Sequence, residues 1–194
     1  MTLRPGKTAL VLIDVQQAFA EREQAGERRN NKQALANIGR LLAAFRDRDI
    51  AIFHIRHAST EPGSRLGADR SGYQPIAEAR ELDGELVLVK KVNSAFIGTD
   101  LEKKLREAGY ETLVIAGITT NHCVETTTRM AGNLGFDARL VGDACYTFDR
   151  IGFDGTVESA EAIHRMTLSN LAGEFATIET TDTVLASLAG RAAA

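Results

Sequence analysis

The sequence has 194 residues, the size of one ordinary domain, so we expect a single domain over residues 1–194. Its 23 basic and 26 acidic residues give a net charge of −3 and are scattered along the chain, which excludes the basic surface that nucleic acid or an anionic membrane requires. No apolar run approaches the ~20 residues of a membrane-spanning helix and no export signal is recognisable, so we expect a cytoplasmic protein whose two cysteines are free thiols.

Six short apolar segments predict β-strands. Their near-continuous apolar character is typical of strands that are buried on both faces. Helical patterns alternate with them, which predicts an α/β fold: one doubly wound parallel sheet with helices on both faces. In chain order, the predicted strands are Thr8–Ile13, Ala51–Ile55, Leu86–Val89, Thr112–Ala116, Ala138–Val141 and Phe175–Ile178.

Four helical segments are predicted between these strands. An apolar stripe marks the first, and the second follows Thr99 and Glu102, which have capping-box spacing. Their approximate ranges are Leu35–Phe45, Leu101–Ala108, Cys123–Leu134 and Gly155–Leu171.

Two segments depart from this alternation. Arg56–Glu85 contains several glycines and prolines and has weak periodicity. Loops of that length usually cover a functional site, although a mobile surface excursion is the alternative. The alanine-rich end, Arg191–Ala194, is expected to be a frayed terminus.

Chemically active residues follow three of the predicted strands. Because ligands bind beyond the carboxyl ends of parallel strands, these positions are candidates for one shared site. Asp14 follows the first strand, Lys90 and Lys91 follow the third, and Cys123 lies shortly after the fourth. A structural cap for Asp14 and a solvated charge pair for the lysines are the alternatives, and strand alternation leaves the choice between Lys90 and Lys91 open.

Cys123 lies in the segment Gly117–Val124, which has the pattern of a strand-to-helix turn. Free N–H groups at a helix start lower the pKa of a thiol and suit an oxyanion, so we expect a reactive thiolate at neutral pH. A buried structural cysteine is the alternative. Cys145 follows another strand without such a turn, and we interpret it as a core or loop residue.

Several familiar sites are missing from the sequence. The four histidines lack metal-binding spacing, so no metal site is predicted. There is no glycine-rich nucleotide-binding motif and no Gly-x-Ser-x-Gly elbow, which disfavours a nucleotide cofactor and a serine hydrolase. We therefore expect no cofactor.

Four ordered motifs between about residues 8 and 185 resemble those of the isochorismatase-like cysteine hydrolases, which include nicotinamidases, carbamoylsarcosine amidases, and biuret and ureidoacrylate hydrolases. The motifs are Leu12–Phe19, Lys90–Phe96 followed by Thr99–Leu101, Gly117–Val124, and Asp143–Ala144.

The resemblance implies a six-stranded parallel sheet and a triad of Asp14, Lys90 and Cys123, with the spacing to the Ser-Ala-Phe element selecting Lys90. It also implies a cis peptide bond at Ile118–Thr119 and an oxyanion hole made by the backbone N–H groups of Thr119 and Cys123. Members of the family assemble with copies of themselves, so a homo-oligomer, either a dimer or a tetramer, is implied.

The details of the resemblance also narrow the substrate. No aspartate precedes His54 and His57 in the nicotinamidase pattern, which disfavours nicotinamide and a metal. The retained cysteine implies hydrolysis of a C–N bond in a small amide, carbamoyl compound or ureide through a thioester on Cys123. A vinyl-ether hydrolase, a redox or regulatory thiol protein, and a silent binding module are the alternatives.

Four further residues are predicted to bind the substrate. They are Phe19, His57, Phe96 and His122, with the loop Arg56–Glu85 completing the wall. Phe19 and Phe96 are equally interpretable as core residues, because aromatic side chains dominate both cores and pockets.

Overall fold

A computed structural model describes residues 3–190, so the predicted frayed end lies outside the described residues. Within this range, six strands form one parallel sheet in the order β3-β2-β1-β4-β5-β8, and two short strands, β6 and β7, form an antiparallel hairpin. The strands are β1 (Thr8–Ile13), β2 (Ile52–His57), β3 (Leu86–Lys90), β4 (Thr112–Ile118), β5 (Asp137–Tyr146), β6 (Arg150–Ile151), β7 (Val157–Glu158) and β8 (Thr177–Glu179).

Helices cover both faces of the sheet, which confirms the predicted doubly wound α/β fold. They are α1 (Gln17–Gln24), α2 (Ala34–Arg46), α3 (Leu101–Glu107), α4 (Glu125–Asn133), α5 (Ala160–Leu171) and α6 (Thr181–Leu188). Helices α1, α2 and α6 contribute to the core on one face, and α3, α4 and α5 contribute to the core on the other. None of the helices within residues 3–190 is long and apolar enough to cross a membrane.

The central strand β1 supplies both cores. Leu10 and Leu12 point to the α2 side, and Val11 and Ile13 point to the α3 side; all four are at most 2% exposed. Side chains alternate between the faces of a strand, so a strand covered on both sides must be apolar at every position. This is why the segment reads as one unbroken apolar run.

The edge strands do not fit the expectation of burial on both faces. Leu86 and Val89 of β3 are 41% and 43% exposed, and the strand pairs only with β2. β8, at the other edge, has no buried residue. An edge position leaves one side of a strand uncovered, so apolar sequence predicted these strands correctly but overestimated their burial.

Helix starts were predicted less well than strands. Thr99 and Glu102 form no capping box: α3 begins at Leu101, whose N–H donates to Thr99 Oγ1 over 3.2 Å. Helix α5 begins at Ala160 rather than near Gly155, because Ser159 caps it and the preceding residues form the β6–β7 hairpin. Helices α1 and α6 and this hairpin were not predicted.

The loop between β2 and β3 contains two short 3-10 turns, Ser71–Tyr73 and Ala77–Ala79. It is bonded to the segment that follows β1: Gln17 N–H donates to Gln74 O over 2.8 Å, and Ile76 N–H donates to Val15 O over 2.9 Å. The loop therefore lies against the chain next to Asp14.

Candidate active site

The carboxyl ends of β1, β3 and β4 bring the predicted triad together. Asp14 follows β1 directly, Lys90 is the last residue of β3, and Cys123 lies in a π-helical turn, Thr120–Val124, that follows β4. A carboxylate oxygen of Asp14, a ring nitrogen of His57 and the Cys123 Sγ all lie within 4.8 Å of one another. Residues far apart in the sequence thus form one cluster at the edge of the sheet where ligands of parallel α/β proteins bind.

Asp14 and Lys90 form a fully buried ion pair. The Lys90 Nζ donates to Asp14 Oδ2 over 2.7 Å, and the Lys90 and Asp14 side chains are 0% and 1% exposed. Burial raises the pKa of Asp14, while the charge and the hydrogen bond of Lys90 oppose that rise. The second oxygen, Oδ1, is buried and has no hydrogen-bond partner among the described residues. A buried carboxylate oxygen without a partner is positioned to accept a proton.

His57 is the second partner of the Lys90 ammonium. Its Nδ1 lies 3.0 Å from Lys90 Nζ, and since an ammonium can only donate, Nδ1 is the acceptor. Burial and the charge of Lys90 lower the pKa of His57, so the ring is neutral at neutral pH. His57 therefore contacts the triad directly, while contact with a substrate remains a prediction.

The backbone around Asp14 is held in an uncommon conformation. Asp14 has a φ of 51°, in the left-handed region that few residues other than glycine adopt. Its N–H donates to Ile55 O and its carbonyl accepts the Gln16 N–H, over 2.9 and 2.8 Å. These bonds fix the direction in which the carboxylate leaves the end of β1.

Gln16 is a buried residue near the site that the sequence analysis missed. Its Oε1 accepts the His57 N–H over 2.8 Å, and its Nε2 donates to the carbonyls of His57 and Tyr73 over 3.1 and 2.9 Å. The side chain therefore ties the end of β2 to the loop. A polar residue two positions after a buried strand-end aspartate was the available signal.

Cys123 is half-buried and its thiol is protonated at rest. Burial raises the pKa of Cys123 to about 12, the charge of Asp14 adds to that rise, and Lys90 opposes it. The expected thiolate at neutral pH is therefore wrong. Ionised Asp14 neutralises Lys90, so the site at rest contains one ion pair and one neutral thiol.

The π-turn is anchored on both sides. Thr120 Oγ1 lies 2.8 Å from Nδ1 of His164, a buried residue of α5 that the sequence did not single out for a role. Thr119 Oγ1 lies 2.9 Å from Nδ1 of His122. The peptide bond Ile118–Thr119 is cis, as the resemblance implied. Thr119 thus immediately precedes this turn and Cys123 is its fourth residue, while their role as an oxyanion hole stays a prediction.

The two aromatic residues predicted to line the pocket are only 8% exposed. Phe19 stacks on Phe148 with ring centroids 6.4 Å apart, and Phe96 stacks on Phe136 at 6.0 Å. Each belongs to one of the two cores, so packing accounts for both. Their contact with a substrate stays a prediction.

Asp14, His57 and Cys123 are also residue types that bind metals. Lys90, however, already donates to both Asp14 and His57, so its ammonium supplies the positive charge between these groups. Cys145, in contrast, is fully buried in β5, which confirms its interpretation as a core residue.

A cavity of about 540 Å³ opens at the opposite edge of the sheet. It is lined by residues at the amino ends of β2 and β3, including Ile52 and Leu86, and by none of the triad. The chemistry-bearing residues therefore lie away from it.

Comparison with known proteins shows similarity along nearly the whole chain. The model of the Isochorismatase domain matches residues 8–183. The uncharacterized isochorismatase family protein YrdC of Bacillus subtilis (strain 168) is 42% identical over 179 residues, covering 92% of this chain and 95% of that protein. Ureidoacrylate amidohydrolase RutB of Variovorax paradoxus (strain S110) is 27% identical over 222 residues, covering 97% of this chain and 84% of that protein.

A solved structure is similar at the level of the fold. The crystal structure of a putative hydrolase of the isochorismatase family from Chromobacterium violaceum ATCC 12472 matches with a TM-score of 0.92 and 41% identity, covering 98% of this chain and 97% of that chain.

Proposed function

Because the chain belongs to the isochorismatase family of hydrolases, we propose that it hydrolyses a C–N bond in a small amide, carbamoyl compound or ureide through a thioester on Cys123. The observation that carries this proposal is that a carboxylate oxygen of Asp14 lies within 4.8 Å of the Cys123 Sγ, with Lys90 bonded to Oδ2 and the buried Oδ1 left without a partner among the described residues. The name of the RutB relatives, ureidoacrylate amidohydrolase, supports a C–N bond as the target.

In the proposed first half-reaction, Asp14 acts as a general base. As Sγ attacks the carbonyl carbon, the thiol proton moves to Asp14 Oδ1, and the carbonyl electron pair moves onto the oxygen. Direct transfer suits a thiol whose pKa is about 12, because a free thiolate never has to accumulate. Lys90 keeps its charge throughout and stabilises the negative charge on either side of the transfer.

The oxyanion is held by the backbone N–H groups of Thr119 and Cys123, each of which is expected to contribute roughly 3 kcal/mol to the transition state. The protonated Asp14 then donates to the departing nitrogen, the C–N bond breaks, and the thioester forms. In the second half-reaction, Asp14 accepts a proton from water as the water attacks the thioester. Asp14 returns that proton to Sγ as the C–S bond breaks, which releases the acid and restores the thiol.

The alternatives receive less support from the site. Sulfur oxidation in a redox sensor requires an accessible thiol with thiolate character, whereas the pKa of Cys123 is raised to about 12. A vinyl-ether hydrolase needs no sulfur nucleophile. A binding module needs no proton acceptor beside a thiol.

The proposal is tested by measuring ammonia or amine release across small amides, carbamoyl compounds and ureides. Cys123→Ala is expected to reduce turnover by at least roughly a thousandfold, because the thioester cannot form. Cys145→Ala, the matched control in the core, is expected to keep most of it. Equal loss in both variants, or turnover that survives Cys123→Ala, would contradict the proposal.

A further inference from the structure

A cavity of about 250 Å³ adjoins the candidate active site at Thr119. Thr119 belongs to both: it immediately precedes the turn that carries Cys123, and it lines the cavity together with His122, Arg22 and Arg150. Thr119 is therefore the residue that joins this cavity to the candidate active site.

The two arginines of this cavity differ in their partners. Arg22 donates through Nε and Nη2 to Glu27 Oε2 over 2.8 and 2.6 Å, so it already has an acidic partner. Within residues 3–190, Arg150 forms no ion pair, and its Nη1 lies 3.1 Å from His122 Nε2. Glu158 is opposite Arg150 in the β6–β7 ladder, yet the two make no ion pair within that range. Arg150 is thus an exposed cation without a neutralising acid.

The one carboxylate in the cavity wall has other partners. Asp149 Oδ1 accepts the Ala160 N–H at the start of α5 over 2.7 Å, and Oδ2 lies 3.8 Å from Arg28 Nε. Its charge is therefore directed toward that helix start and Arg28, which leaves Arg150 available to a ligand.

His122 is the neighbour of Arg150 in this cavity. Burial lowers the pKa of His122, and the charges of Arg150 and Arg22 lower it further. The neutral ring accepts from Arg150 at Nε2, so Nδ1 carries the proton and donates to Thr119 Oγ1. The cavity wall therefore presents the Arg150 cation beside a neutral histidine ring, next to the candidate active site.

We propose that Arg150 binds an anionic group of the substrate, so that the amides or ureides hydrolysed here carry a carboxylate. A guanidinium pairs with a carboxylate through two parallel hydrogen bonds, which gives orientation as well as affinity. This inference rests on the proposed function and assigns Arg150 as a specificity-determining residue.

Binding is measured first, in a form that does not depend on turnover. Cys123→Ala protein is titrated calorimetrically with malonamate, succinamate and glutaramate, and with the neutral amides propionamide, butyramide and valeramide. We expect the carboxylates to bind roughly tenfold to a hundredfold more tightly, as charge-assisted hydrogen bonds predict. Arg150→Gln in the same background should remove this difference, and Arg150→Lys should retain part of it.

Arg48→Gln is the matched control. Arg48 is an exposed arginine that follows α2 at the opposite edge of the sheet and donates to Ala44 O, so its loss should leave the preference for carboxylates unchanged. Equal binding of the charged and neutral amides, or a preference that survives Arg150→Gln, would overturn the assignment.

Kinetics with Cys123 intact distinguish a role of Arg150 in binding the substrate from a role in positioning other residues. Arg150→Gln should raise KM for carboxylate-bearing amides roughly tenfold or more, and should lower kcat/KM for carboxylate-bearing amides far more than for neutral amides. A comparable fall in kcat for both classes would instead assign Arg150 to holding His122 and Thr119. If carboxylates bind through Arg150 but no C–N bond is cleaved, the proposed function fails while the anion site stands. If C–N bonds are cleaved without a preference for carboxylates, the proposed function stands and the assignment of Arg150 fails.

Discussion

Lys90 and Lys91 are adjacent in the sequence but have opposite environments. The Lys90 side chain is fully buried against Asp14, whereas Lys91 is exposed. Successive side chains of a strand point to opposite sides, so only one of the pair can reach the site. Strand alternation alone left that choice open, because it does not show which face of the sheet each residue occupies, and the resemblance selected Lys90.

Replacing Lys90 tests how strongly the buried charges depend on each other. Lys90→Met is expected to lower the free energy of unfolding by about 3–5 kcal/mol, because it leaves the Asp14 carboxylate buried without a cation. Hydrolysis should be lost as well, since the pKa of Asp14 then rises further with burial unopposed. Urea denaturation and a turnover assay measure the two effects.

Two further variants distinguish this effect from loss of packing. Lys91→Met removes the same charge at the surface and should change the free energy of unfolding by less than about 0.5 kcal/mol. Asp14→Asn combined with Lys90→Met should recover much of the stability, because no charge remains buried, without recovering turnover. Equal free energies of unfolding for Lys90→Met and Lys91→Met would show that the buried Asp14 does not depend on the charge of Lys90.

At the scale of elements, the site relies on a close approach between β1 and β4. Gly117 has a φ of 139°, and a Cβ placed there would lie 2.1 Å from Ile13 O and 2.7 Å from Ile13 N. Ile13 directly precedes Asp14, and Gly117 lies two residues before Thr119. The absence of a side chain at this position thus sets the separation of the strand ends that carry the acid and the nucleophile.

Gly117→Ala is therefore expected to disrupt both the fold and the site. The clash is with backbone, which cannot rotate away, so we expect a loss of roughly 3 kcal/mol or more in the free energy of unfolding, together with loss of hydrolysis. Thermal and urea denaturation check the stability.

Gly39→Ala is the matched control for this substitution. Gly39 lies inside α2 with no atom within 4 Å of its would-be Cβ, so alanine should stabilise the helix by about 1 kcal/mol. If Gly117→Ala behaved like Gly39→Ala, the close approach would not limit the geometry of the site.

The elements differ in how well the sequence predicts them, for physical reasons. Strand β1 is apolar from Ala9 to Ile13 because both its faces are covered, and its predicted bounds agree with the structure. Helix α1 contains mostly polar residues and buries only Ala18 and Phe19, so hydrophobic periodicity could not reveal it. The hairpin β6–β7 is exposed along its length and leaves no pattern of burial in the sequence.

The residues of the site also differ in how well the sequence predicts them. Position after a strand suggested Asp14 and Cys123, because strand ends are readable from apolar runs. The pKa of Cys123 was predicted in the wrong direction, since desolvation and the charge of Asp14 depend on tertiary packing. The link from His57 to Lys90 arises from the β2–β3 register, which the sequence does not specify.

At the scale of the whole molecule, Glu85 ties the long loop back to the sheet and to α2. It accepts from Arg46 Nε over 2.7 Å and from the Leu82 N–H over 2.9 Å, and it lies 2.8 Å from His54 Nε2. These contacts join α2, β2 and the end of the loop that lies against the Asp14 segment. Burial alone would raise the pKa of Glu85, but hydrogen bonds from Arg46, Leu82 and His54 lower it to about 2.

This lowered pKa makes the stability of the fold depend on pH in a defined window. A carboxylate whose pKa is lower in the folded protein stabilises it above its unfolded pKa, and that contribution disappears as the pH falls through the folded pKa.

We expect Glu85→Gln to cost about 2 kcal/mol in the free energy of unfolding at pH 7, after allowance for solvent screening. The difference from the unsubstituted protein should shrink as the pH falls from about 4.5 toward 2. Urea denaturation across this range measures it, with Glu107→Gln, at an exposed position of α3, as the control. A difference that stays constant from pH 7 to pH 3 would show that Glu85 acts through shape rather than charge.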